Sequence, residues 1–299
     1  DSLPHPPIEA VFTTDEEVGM DGAFALDCSD LKGRELLNLD SEEEGVFTVS
    51  CAGGARLDCV LPGAAERLDG DVGYVVTLSG LKGGHSGGDI HLGRASANHL
   101  MGRVLYNAME HCPGLRLADL RGGRFDNVIC SRNDALVAVP QSEAPALEAF
   151  LEEFGAVLKN EYAGCDEGLT LTWESRPLSG ALNVEVTRHI LHVLLALPQG
   201  VQAMSVDFPG VVQTSLNLGV MSMENDGLHF SYSVRSSIAS QKAMLLQRVR
   251  SIVEYAGGTV SERSNYPGWQ YVRQSAMRER LLGAYQDLTG NCLLYTSDA

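Results

Sequence analysis

Residues 8–26 read IEAVFTTDEEVGMDGAFAL, and their punctuation decides the fold class. Residues 8–13 (IEAVFT) form a short, mostly apolar run that reads as a strand. It passes into Thr14-Asp15-Glu16-Glu17, then Gly19, then a helix for which Asp21 is a plausible N-cap. A second strand at residues 35–39 (ELLNL) ends in Asp40-Ser41-Glu42-Glu43-Glu44-Gly45. Strand, turn, helix and strand in this order predict a mostly parallel α/β sheet. Both acidic clusters then sit just past strand ends, at the edge where open α/β sheets bind ligands.

The charge follows the same segment. The 299 residues carry a formal net charge of -17, and residues 1–44 alone hold 13 acids against 2 bases. An acidic chain lacks the basic face that a nucleic-acid partner requires, and an anionic membrane surface repels it. With 44% hydrophobic residues the chain can bury a core, and its length predicts two lobes. No stretch approaches the roughly 18 apolar residues of a membrane span. The start, DSLPHPPIEA, lacks the features of a signal peptide, and without an initiator Met the chain reads as an internal fragment. Seven cysteines, none spaced as C-x-x-C, disfavour thiolate zinc and redox pairs and fit a reducing, cytoplasmic setting.

From about residue 71 the texture changes. Strands are expected at residues 74–78, 127–129, 135–139, 168–173, 213–221 and 228–234, and helices at 95–110, 144–162, 184–197, 241–255 and 273–288. This order predicts an α+β domain with a largely antiparallel sheet. Asn265-Tyr266-Pro267-Gly268-Trp269 then leads to the last helix, which can rejoin the first lobe. The tail, NCLLYTSDA, fits no expected element and is given no structure.

Three adjacent carboxylates, Asp15, Glu16 and Glu17, repel one another unless they are solvated, protonated or metal-bound. A solvated turn would account for the triplet alone. A second acidic cluster at a neighbouring strand end favours a cation, since two such groups converge on one sheet edge. Adjacent glutamates can also divide the work, one binding the metal and the other taking a proton from water. Of the eight histidines, none begins an H-x-D pair and none lies beyond His229. His99, His189 and His192 fall within helices and read as packing residues. His85 stands apart in Lys82-Gly83-Gly84-His85-Ser86-Gly87-Gly88, where four glycines let backbone approach a ligand.

The blocks TTDEEVGMDGAFAL, LLNLDSEEEG, SCAGG, LSGLKGGHSGGDIHLGRASAN, QTSLNLGVM and NYPGW resemble, in order, the aminoacyl-histidine dipeptidases, also called Xaa-His or cytosol non-specific dipeptidases. These belong to the dinuclear zinc peptidases that include aminoacylases and glutamate carboxypeptidases. The resemblance implies an α/β catalytic domain with a parallel-rich sheet, two zinc ions, and an inserted α+β lid that mediates homodimer formation. The catalytic domain is expected over residues 1–70 and 261–290 and the lid over 71–260, with 291–299 an artefactual tail. The resemblance makes Glu16 the general base and Glu17 a ligand of one zinc. It makes Asp40 a ligand of the other zinc and His85 the donor that stabilises the tetrahedral oxyanion. Asn217 and Arg235 become lid groups that hold the scissile carbonyl and the substrate carboxylate.

The family's H-x-D motif, bridging Asp and late ligand His have no counterpart in this sequence, so the fragment is expected to be inactive alone. The implied activity is cytoplasmic hydrolysis of unblocked dipeptides, including Xaa-His, with no nucleic-acid or membrane partner. The alternatives are an amidohydrolase of the same family acting on N-acyl amino acids, and a non-catalytic binding or dimerisation module. A two-carboxylate glycosidase finds little support in an aromatic content of 6% with two tryptophans.

Overall fold

A computed structural model of the chain describes residues 8–15, 21–33, 35–38, 44–292 and 294–298. The elements run in chain order as follows. Helix α1 (Asp21–Phe24) precedes strands β1 (Val46–Cys51), β2 (Gly53–Pro62), β3 (Glu66–Arg67), β4 (Asp71–Ser79) and β5 (Gly84–His85). Helix α2 (Ala97–His111) leads to β6 (Arg116–Gly122), β7 (Val128–Ile129), β8 (Asn133–Pro140) and helix α3 (Ala144–Glu161). Then come β9 (Thr170–Ser175), β10 (Gly180–Ala181), helix α4 (Val184–Ala196), β11 (Gly200–Met204), β12 (Val212–Glu224) and β13 (Gly227–Ser236). Helix α5 (Ala239–Tyr255), β14 (Thr259–Tyr266), helix α6 (Ala276–Thr289) and β15 (Leu294–Asp298) complete the chain.

Two compact units divide it. One comprises Asp1–Gly45 with Ser275–Leu293, the other Val46–Gln274 with Leu294–Ala299. In the first unit, α6 starts where Ser275 Oγ accepts the Arg278 N–H and stops at Gly290, whose φ of 73° suits glycine. Neither expected strand is present here. Residues 8–13 and 35–38 have no ladder partner among the described residues, and a strand is defined by its ladder. Residue 39 lies outside the described set.

The second unit is built on a nine-stranded sheet ordered β14-β2-β13-β12-β6-β8-β4-β9, with β11 also paired to β12. Every pairing in this sheet is antiparallel. Helix α2 buries Leu100, Met101, Val104, Leu105 and Ala108, a spacing that puts them on one face. That face meets α3, α4 and the sheet. The sheet answers with Leu57, Val76, Leu117, Val137, Phe230 and Tyr232, all buried in the same core. Asn183 caps α4 by accepting the Val186 N–H, and α5 lies over β2, β13 and β14.

Strands β1, β2, β6, β11 and β14 escape the sequence pattern for physical reasons. β1 is only partly buried, and β2 opens on two glycines. β6 (RLADLRG) and β14 (TVSERSNY) carry charges on exposed positions, and β11 is a short side strand. The tail is also more than irregular chain. Leu294–Asp298 pairs in parallel with β1, Val46 opposite Leu294, which corrects the expectation of no structure there. Around the sheet's middle, Gly123 has φ 76°, and a Cβ at that position would stand 1.8 Å from the Gly219 carbonyl oxygen. Only glycine permits the approach of the segment after β6 to β12.

Candidate active site

The second unit presents His85 at the tip of a glycine-rich loop. Strand β5 pairs with β7, Gly84 opposite Ile129 and His85 opposite Val128. The His85 N–H donates to Asp89 Oδ2 at 2.8 Å, and the Asp89 N–H donates back to the His85 carbonyl at 2.8 Å, closing the turn. The N–H groups of Gly87 and Gly88 both donate to His85 Nδ1, at 3.3 and 3.2 Å. A nitrogen that accepts two hydrogen bonds carries no proton, so the ring is the Nε2–H tautomer. The exposed imidazole therefore offers a donor of fixed identity. Arg94 braces the loop from behind, donating from Nη1 to the Gly83 carbonyl at 2.6 Å and lying 3.5 Å from Asp89 Oδ2.

Arg235, on β13, reaches the same place. A Cβ built on Gly87 would stand 3.0 Å from His85 Cε1, 3.2 Å from its Nδ1 and 3.5 Å from Arg235 Cζ. The imidazole and the guanidinium thus crowd one glycine. Among the described residues, neither the buried Nε of Arg235 nor the hydroxyl of Ser86, next to His85, has a hydrogen-bond partner. Two donors side by side, one neutral and one cationic, suit a ligand that carries both a polarised carbonyl and a carboxylate.

Asn217 occupies a different position from that expected. It is 1% exposed, and its Nδ2 donates to the carbonyls of Asp126 and Val128, both at 2.9 Å. Its Oδ1 accepts from Gln199 Nε2 at 3.1 Å, while Gln199 Oε1 accepts the Leu218 N–H at 2.7 Å. Both amide hydrogens are therefore engaged by backbone, and the side chain holds β7, on which His85 rests, instead of presenting a donor to a ligand. Next to it, Asn98 Nδ2 donates to the Leu218 and Gly219 carbonyls and Asn98 Oδ1 accepts from Asn133.

The remaining assigned residues, Glu16, Glu17 and Asp40, lie outside the described residues. Among the described residues no group of three or more His, Cys, Asp or Glu side chains could hold a metal ion. Four other histidines have structural surroundings. His192 meets Tyr106 edge-on and His111 stacks on Phe150. His189 Nε2 lies 2.9 Å from the Ala256 carbonyl. Burial, and then the nearby Arg103 charge, lower the pKa of His99.

Residues 76–165, which include His85, match the M20-type peptidase dimerisation domain family. The cytosol non-specific dipeptidase of Escherichia coli (strain K12) is 36% identical over 290 residues, covering 96% of this chain and 60% of its own length. The crystal structure of aminoacylhistidine dipeptidase from Vibrio alginolyticus matches with a TM-score of 0.89 at 33% identity, over 95% of this chain and 58% of that one. The chain is similar to these two dipeptidases over nearly all of its own length. Its fold matches that of the Vibrio alginolyticus structure, and it spans about three-fifths of the length of each relative.

The sequence reading named His85 and Arg235, which meet at Gly87, and did not name Asp89, Arg94 or Gln199, which hold the backbone around them. Asp89 was detectable, four residues after His85 within the same glycine-rich motif. Gln199 is distant in sequence, and no local pattern marks it.

Proposed function

We propose that the protein to which this chain belongs is a metal-dependent dipeptidase that cleaves the peptide bond of unblocked dipeptides, Xaa-His among them, as a cytoplasmic homodimer with zinc as its metal. The observation that carries this assignment is the pairing of a fixed-tautomer imidazole with a guanidinium around Gly87, in a chain aligned over 96% of its length with a dipeptidase. An N–H at His85 Nε2 is placed to bind the oxygen of a scissile carbonyl as it gains negative charge. The Arg235 guanidinium is placed to take the carboxylate at the end of a dipeptide, which fixes substrate length. Glu16 is assigned the proton transfer, with Glu17 and Asp40 holding metal. The metal ions, when bound, supply the Lewis acidity that makes water a nucleophile near neutral pH.

The test uses the full-length protein with zinc restored. A dipeptide should be hydrolysed and its N-acetyl amino acid counterpart left intact, with activity abolished by chelation. Glu16→Gln should lose turnover while zinc stays bound, and His85→Ala should lower kcat without lowering metal content. Cleavage of the N-acetyl substrate alone would establish the amidohydrolase instead. Hydrolysis of neither substrate would leave a binding or dimerisation module.

A further inference from the structure

Residues 82–95 leave the end of β4 and return to the start of α2, carrying His85 on the way. One carboxylate holds both ends of this loop. Asp166, 1% exposed in the turn after α3, accepts the Lys82 N–H on Oδ1 at 2.7 Å and the Ala95 N–H on Oδ2 at 2.7 Å. The turn that presents it is itself bonded. The Asp166 N–H donates to the Tyr162 carbonyl at 2.8 Å, and the Leu169 N–H donates to the Asp166 carbonyl at 3.0 Å. Cys165 Sγ adds a contact at 3.3 Å to the Gly93 carbonyl, inside the loop.

Burying a carboxylate costs solvation, which only strong hydrogen bonds offset. Both bonds to Asp166 are short and charge-assisted. Since its two oxygens belong to one planar group, covalent geometry sets the separation of the loop's ends. The tip is then held by different groups. Asp89 and Arg94 close the turn, and the Ser86 N–H donates to the Asn127 carbonyl at 2.9 Å. Nothing in the proposed chemistry needs a carboxylate at position 166, and the two short hydrogen bonds it accepts come from backbone amides.

We propose that Asp166 is a positioning residue for His85, a buried carboxylate clamp that closes the base of the glycine-rich loop and so places the imidazole donor. This rests on the role proposed above for His85. It adds a residue from outside the loop, 84 positions from Lys82 in sequence.

Asp166→Asn keeps the shape of the side chain but turns one acceptor into an N–H that faces a backbone N–H, releasing one end of the loop. In the full-length, zinc-loaded enzyme this substitution should lower kcat about 10- to 100-fold with little change in KM, the scale of loss that small misplacements of reacting groups produce. In a His85→Ala background it should cost no further turnover, because a residue that acts through His85 has nothing left to position. An equal loss in both backgrounds would overturn the proposal. Amide hydrogen exchange on the unsubstituted 299-residue chain tests the clamp independently, should Asp166→Asn not fold. Slow exchange at Lys82 and Ala95 supports it, and rapid exchange at both overturns it. Retained turnover in His85→Ala alone would instead sink the role of His85, with exchange still deciding whether the clamp exists.

Discussion

At position 87 a hydrogen atom occupies the space where any other residue would place a methyl group against His85 Cε1, 3.0 Å away. Gly87→Ala must therefore push the imidazole or the turn aside by a few tenths of an ångström, next to Arg235. Its backbone is not in the left-handed region, so the cost falls on the site and not on folding. The expected outcome is about a tenfold loss of kcat, or about 1.4 kcal/mol, with the thermal midpoint little changed; steady-state kinetics and a melting curve measure the two. Full activity would show that the ring tolerates displacement. Asn217 gives the opposite profile. Asn217→Ala leaves the Asp126 and Val128 carbonyls and the Gln199 amide without their partner in a buried setting. Stability should fall by about 1–3 kcal/mol in chemical denaturation, with a turnover loss that follows from the loosening of β7.

Strands and helices differ in how far the sequence reveals them. Helices α2 to α5 lie within about two residues of the positions read from 3.6-residue periodicity, because each buries a coherent apolar face. β12 and β13 are legible for the same reason, being buried along most of their length. β14 is not. Its residues TVSERSNY are mostly exposed on the edge of the sheet, and an ion pair from Arg263 to Asp58 adds to its ladder with β2. His85 was legible through its glycines, whereas Asp166 acts on a loop far off in sequence and leaves no local signal.

The ion pairs on β14 carry a pH dependence. Burial raises the Asp58 pKa, but hydrogen bonds from Arg263 and Ser231 and the charges of Arg263 and Arg56 outweigh it, and the net shift is downward. Arg263 Nε lies 2.6 Å from Asp58 Oδ2 and its Nη2 lies 3.0 Å from Asp126 Oδ2. A carboxyl whose folded pKa is lowered contributes stability above its unfolded value, about 3.9, and loses it as pH falls through the folded value. Melting temperatures followed from pH 6 to pH 2.5 should therefore drop more steeply for the unsubstituted chain than for Asp58→Asn. The difference stays small because the pair is partly exposed. Parallel curves would show that β14 owes nothing to this carboxylate.

On the scale of the whole molecule, the segment that matches the peptidase dimerisation domain, residues 76–165, lies entirely within the unit formed by Val46–Gln274 and Leu294–Ala299. That unit also holds the main core, from Ala55 to Val253, so it has what it needs to fold by itself. The other unit contributes α6, which buries no side chain among the described residues. Self-association should accordingly belong to the second unit alone. Sedimentation equilibrium of the 299-residue chain should give twice 32.1 kDa, and a protein trimmed to residues 46–274 should likewise sediment at twice its own mass. Dissociation should be set by concentration alone, as for an isologous pair, and should not respond to chelators, since the metal ligands assigned above lie in the removed segment. A monomer at both lengths would refute dimerisation through residues 76–165. A dimer that survives only in the longer chain would assign the interface to residues 1–45 or 275–299 instead.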